Sequence, residues 1–254
     1  MKNNIVEYQR KCFREYKSDI GYPEKYCYLY GNPINVLVPI ETSLNRIMIV
    51  GAYPSAKFFT VNGISDTPLT DNDSPFSNES YFDGSRVRTI PSGKELNEVI
   101  LSKIGIHRED CWITDLVKVF LFKNGHVKRY NKIKSDCIIK ENRSEFNEYA
   151  KRSLKWLYEE IEICNPFLII LLGAEVTQAV FDLKSQIYSK EFLDGVAREK
   201  DILGIKRNFI CLPHPGILMK TGVSKNFWPE KFDNEIAKRT KTEIDRIKKE
   251  NQKG

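Results

Sequence analysis

The chain has 254 residues, of which 41% are hydrophobic and 29% charged, enough apolar material for one sizeable core and unlike a fibrous or low-complexity protein. Its formal net charge of +6 permits a nucleic-acid partner without demanding one, since a solvated lysine-rich surface explains the charge equally well. No apolar run approaches the roughly 18 residues a membrane helix needs and no secretory pattern opens the chain, so no membrane partner and a cytoplasmic location are expected.

The six cysteines (12, 27, 111, 137, 164 and 211) form no C-x-x-C pair. Cys111, Cys164 and Cys211 lie in or beside apolar runs and read as core thiols, which suits a reducing compartment.

In chain order, residues 5–17 read as a largely polar helix with scattered aromatics. Residues 18–45, rich in Tyr, Pro and Asn, read as loops around a short strand at Val36-Leu37-Val38. Residues 46–50 read as the first core strand, its four apolar residues Ile47-Met48-Ile49-Val50 a continuous run of the kind a doubly covered parallel strand uses. The run ends in Gly51, and Pro54 stiffens the turn beyond it, so Ala52-Tyr53-Pro54-Ser55 are expected to floor a site at the strand's carboxyl end. Residues 57–91 read as a long irregular connection facing substrate, carrying Asp66, Asp71, Asp73 and Asp83 among aromatics.

Ser92-Gly93-Lys94-Glu95 opens a helix to about Ile104. Ser92 is the expected cap and Glu95 completes a capping box. Such a helix start can hold a phosphate, although a plain structural cap is the commoner use. Residues 111–118 are a second strand containing polar Thr114 and Asp115. A carboxylate there must be useful to a site, cap a helix, or be half of a buried ion pair. Residues 119–143 are a connection interleaving Lys123, His126, Lys128 and Arg129 with aromatics, which fits nucleic acid and a solvated loop alike. Helical spacing returns over 144–163, followed by a strand at 167–172, a helix at 175–181 and a strand at 208–212. That strand ends in Pro213-His214-Pro215-Gly216, and a charged helix runs from about 230 to 249. Four strands separated by helices predict an α/β sandwich with a mostly parallel sheet, whose aligned ends would bring His214, Asp115 and the Tyr53 loop to one cleft.

Five segments in order then carry a family resemblance: IMIVGAYPS, SGKEL, CWITDLVK, NPFLIILLGAEV and LPHPGILMK. Together they resemble the uracil-DNA glycosylase superfamily over about residues 34–220. The resemblance implies a three-layer α/β/α sandwich around a central four-stranded, mostly parallel sheet. The expected organisation is a single domain over 1–254, with 34–220 as its core, 1–33 as an N-terminal extension and 224–254 as a charged C-terminal helix. It implies a monomer that grips single- or double-stranded DNA, extrudes one nucleotide and cuts the base from its sugar. His214 would bond the departing base, Leu218 would be the wedge replacing it, and Asp115 would read the base. Gly51, Pro54, Ser55, Ser92, Gly93, Lys94, Pro215 and Gly216 would line the substrate and DNA path, with Lys118 and Lys220 adding charge.

Two departures from the family pattern shape the expected chemistry. Ala52 and Tyr53 stand where relatives usually carry a polar residue that orients water, so assistance is expected from an acid of the 66–83 segment, or cleavage is slow or absent. Asp115 replaces the usual amide, and an ionised carboxylate only accepts hydrogen bonds, so an altered base with an exocyclic amine is expected rather than ordinary uracil. Some relatives hold an iron–sulfur cluster through cysteines, but Val119 and the position near Ser153 are not Cys here, so no cofactor and no metal are expected. A fold of this family that binds nucleic acid or nucleotide without catalysis, and a defence protein acting on modified foreign DNA, are the alternative readings.

Overall fold

The computed structural model describes residues 2–223 and 225–252. Met1, Ser224, Lys253 and Gly254, which belong to the expected terminal segments, lie outside the described residues. The strands are β1 (Ile47–Gly51), the hairpin β2 (Ala56–Val61) and β3 (Ile64–Asp71), the small hairpin β4 (Ser80–Phe82) and β5 (Val87–Thr89), then β6 (Cys111–Asp115), β7 (Leu168–Leu172), β8 (Ala197–Ile202) and β9 (Ile205–Leu212). The central sheet runs β6-β1-β7-β9-β8, with the first four strands parallel and β8 antiparallel at the edge. Helices flank it to give an α/β sandwich. β1, β6 and β7 are buried at every position, which is why β1 and β7 are unbroken apolar runs rather than alternating ones, whereas β6 carries Thr114 and Asp115 at its buried carboxyl end.

The sheet therefore has five strands, not four. β8 reads AREKDI, and its charged residues suit an edge strand that must resist pairing with other chains. It reaches β9 through Leu203-Gly204, both at positive φ (55° and 82°), the geometry of a tight two-residue hairpin turn. The 57–91 segment is likewise not irregular. Asn62-Gly63, at φ 48° and 75°, turns β2 into β3, and a second hairpin follows.

Val36-Leu37-Val38 is not a strand, although the Leu37 N–H donates to Lys118 O at 2.8 Å and ties the segment to the sheet's edge. The 119–143 connection contains a helix, Asn124–Ile133. The capping box at Ser92 does not form: the helix begins at Pro91 with Ile90 as cap, so Ser92 already lies inside the first turn. The N-terminal helix, Lys2–Ile20, buries Tyr8, Cys12, Tyr16 and Ile20 in the same core as the sheet and packs on Phe146–Cys164. The buried thiols are pushed up in pKa by desolvation, Cys12 to about 11 and Cys111 and Cys211 to about 12, which leaves them protonated packing groups.

Candidate active site

The parallel strands align their carboxyl ends, and register pairs Gly51 with Asp115 directly across β1 and β6. Beyond β6 the chain bends at Leu116-Val117, where Leu116 N–H donates to Gly51 O at 2.9 Å and Val117 N–H to Ala52 O at 3.0 Å, which braces the Ala52-Tyr53-Pro54-Ser55 turn. A Cβ on Gly51 would overlap both Asp115 Oδ1 and the Phe76 ring, so only glycine admits these two side chains to the strand end. Gly51→Ala should cost about 1–3 kcal/mol in chemical denaturation and displace Phe76 and Asp115; a variant as stable as the parent would show that the strand end gives way freely.

At this rim lies a cavity of about 190 Å³ lined by Ala52, Tyr53, Pro54, Ser55, Phe58 and Phe76 on one side. Ser92, Asp115, Phe120, Lys123, His126 and His214 complete its lining. Phe76 stands at φ +50°, unusual for a bulky side chain, and its carbonyl accepts from the Arg108 guanidinium at 2.8 Å. Arg108 is itself held by Glu41 at 2.6 Å. Ser92 Oγ is buried with no protein partner at the cavity wall.

Asp115 is buried, and desolvation raises its carboxyl to about 7; Lys118 pulls the other way and Glu160 adds to the rise. His214 follows β9 and caps the short helix Pro215–Leu218, its Nδ1 accepting from Gly216 N–H at 3.1 Å. That places the ring proton on Nε2. The ring reaches solvent at the cavity mouth, yet the protein atoms crowding it lower its pKa. Glu175 opposes this and Lys123 reinforces it, and the balance keeps the imidazole neutral. Glu175 pairs with Arg143, whose guanidinium lies 4.8 Å from the Tyr53 ring and 5.0 Å from Phe146.

Several expected site residues stand elsewhere. Lys118 is 0% exposed: its ammonium bonds Glu160 Oε1 at 2.6 Å, Thr114 Oγ1 at 2.7 Å and Asp115 O at 3.1 Å, spending all three protons inside the protein. It cannot reach a phosphate. Leu218 is 3% exposed and lines a recess with Val99 and Phe232, so it is no wedge as it stands; Met219, 47% exposed, projects from the same turn. Gly93 is a glycine because Ser77 O and Phe76 O press against it, a packing reason rather than a phosphate one. Lys94 and Lys220 are exposed.

The acids of the 66–83 segment are engaged away from the cavity. Asp66 pairs with Arg88 and Asp73 with Lys57. Asp71 accepts from Tyr28 Oη at 2.7 Å and Asn35 N–H at 2.7 Å, and Asp83 holds Ser85, Arg86 and Arg88. Asp115 is the one carboxylate lining the cavity among the described residues. Sequence reading passed over His126 and Phe58 as members of this cavity.

The cluster positions do not suit an iron–sulfur group. Val119 and Ser153 are buried, Ser153 Oγ lies 2.6 Å from Tyr16 Oη, and among the described residues no group of three or more His, Cys, Asp and Glu side chains is placed to hold a metal.

An open, mostly parallel sheet with its polar residues gathered where the strands end is the architecture of an α/β protein that takes its ligand at that rim. Within that class, the chain belongs to the uracil DNA glycosylase superfamily, whose family model matches residues 41–238. No curated protein matches the chain.

Proposed function

We propose that the protein extrudes one nucleotide from DNA and hydrolyses its N-glycosidic bond, acting on an altered base other than ordinary uracil. The observation carrying this reading is a cavity at the strand ends that combines aromatic walls with one carboxyl and a neutral imidazole braced between prolines. As the bond from C1′ to the base breaks, its electron pair moves to the base and positive charge grows on the sugar. His214 Nε2–H donates to the base oxygen that gains charge, a preorganised contribution of about 10²- to 10³-fold. Water supplies the oxygen that C1′ acquires. Asp115 reads the base: ionised, it only accepts, which suits a base presenting an exocyclic amine beside it and not the O4 of uracil. Met219 takes the wedge role in place of Leu218, and Lys94, Lys123 and Lys220 supply charge along the phosphates.

A second reading, base binding without cleavage, is favoured by the Ala52-Tyr53 pair. Ala52 has no polar side-chain atom, and the Tyr53 ring packs against both Phe146 and the Arg143 guanidinium. The test is base release from single-stranded and duplex oligonucleotides carrying uracil, hypoxanthine, xanthine or substituted cytosines. Release of one base, reduced about a hundredfold or more in His214→Ala, supports hydrolysis. DNA binding with no release from any substrate leaves the binding reading in its place.

A further inference from the structure

We propose that His126 is a base-reading residue, presenting a fixed Nε2–H donor that selects nucleobases with an acceptor on the edge facing it. This rests on the cavity being a base pocket. His126 sits in the first turn of the helix Asn124–Ile133 and is 8% exposed. Its Nδ1 accepts from Lys123 N–H at 3.1 Å, which assigns the ring proton to Nε2. One face stacks on Phe120 (centroids 5.4 Å apart, 25° between planes), and Phe58 lies 5.7 Å away. With one nitrogen committed to the backbone and the ring packed against this aromatic cluster, the imidazole is held in orientation, and it lines the same cavity as Asp115 and His214.

Among the described residues His126 Nε2 makes no protein hydrogen bond, and it is not one of the polar atoms sealed from solvent, so the ring offers a free donor on the cavity it lines. A base that fills the cavity displaces solvent from this donor, and one with no acceptor facing it leaves the donor unpaired at a cost of about 1–3 kcal/mol. The proton also stays in place: desolvation, reinforced by Lys123 and Arg129, lowers the imidazole to about 4, so the ring is neutral across the physiological range. The cavity then offers two imidazole N–H donors, His126 and His214, and one carboxyl, Asp115. A base edge with two acceptors and one exocyclic amine satisfies all three, and a base missing the acceptor facing His126 leaves it unpaired.

Two substitutions separate the donor from the cap. His126→Asn places an acceptor near the Nδ1 position and loses the Nε2–H, whereas His126→Gln places a donor near Nε2 and loses the cap. Each is compared with the parent for affinity toward free uracil, cytosine, hypoxanthine and xanthine, for base release from oligonucleotides, and for melting temperature. The expected result is a loss of roughly ten- to hundredfold in affinity for the preferred base in His126→Asn, flattening the differences among the four. His126→Gln melts lower but keeps the preference. In the parent, the preferred base should shift the His126 Nε2 resonance. Unchanged preference in His126→Asn, equal loss in both variants, or no binding of any of the four bases by the parent overturns the inference. A parent that binds a free base but releases none from DNA refutes hydrolysis alone, and the two variants still decide the role of His126.

Discussion

Asp115→Asn should melt several degrees above the parent at pH 8, and the difference should vanish as the pH falls towards 4. The Asp115 carboxyl is raised from 3.8 to about 7, chiefly because burial penalises its charge. Below pH 4 the folded and unfolded chains both hold the proton. Between about 4 and 7 the unfolded chain has ionised while the folded one retains its proton, so stability falls as the pH rises. Above 7 the penalty is constant, at most about 4 kcal/mol from about 1.4 kcal/mol per pH unit, or on the order of 10 °C in melting temperature. A stability difference equal at pH 4.5 and pH 8 would mean that the carboxyl is ionised in the folded protein throughout.

The same substitution tests base choice. An ionised carboxylate serves an amine, whereas the amide of Asn both donates and accepts, so Asp115→Asn should gain uracil release. The neutral carboxyl of the parent also donates and accepts, so any uracil activity of the parent should rise as the pH falls through 7. Efficient uracil release by the parent with no gain in Asp115→Asn refutes the assignment of Asp115 as the discriminating group.

The second large effect lies beneath the site. Glu160 accepts from Lys118 at 2.6 Å, Tyr8 Oη at 2.7 Å, Trp112 Nε1 at 3.2 Å and Thr114 Oγ1 at 3.3 Å, all in the interior. Glu160→Leu leaves a buried ammonium without its counter-charge and takes an acceptor from three neutral donors, and should cost about 3–5 kcal/mol in urea unfolding. Lys118→Met should cost a similar amount by isolating the carboxylate. The double variant removes both charges, so its cost should fall well short of the sum of the singles. Additive costs would show that the two groups do not act as a pair. Lys118→Met should also raise the Asp115 carboxyl further, since Lys118 is the group holding it down.

The parts of the fold legible in the sequence are those where local composition and tertiary role agree. β1, β7 and the end of β9 are apolar runs because both their faces are covered, and runs of that kind need no partner to be recognised. β8 was invisible because edge exposure demands the charges that make it look like a loop. The β2–β3 hairpin did carry a signal, Asn62-Gly63 between hydrophobic residues, which the aspartates and aromatics around it obscured. At the site, Asp115 and His214 stood out by position at strand ends. Lys118 misled because the acid that buries it is Glu160, far along the chain on the inward face of Phe146–Cys164 between Leu157 and Ile161. An acid within an apolar helical stripe is the one local hint that a buried cation exists. Leu218 and Met219 differ only in which way a four-residue helix turns them, and the sequence does not fix that rotation. His126 depends on a backbone bond to Lys123 and on two phenylalanines from separate segments, a combination that only folding assembles.

The left-handed turn at Phe76, pinned through its carbonyl by Arg108, has a consequence for how the cavity chooses its guest. A wall held in a costly backbone conformation by a guanidinium that is itself anchored does not swing outward to accommodate a larger ring. Size is then judged by exclusion at first contact rather than by closure afterwards. An oversized base should be turned away at any concentration, and a fitting one should enter in a single kinetic step, with no slow rearrangement following its arrival.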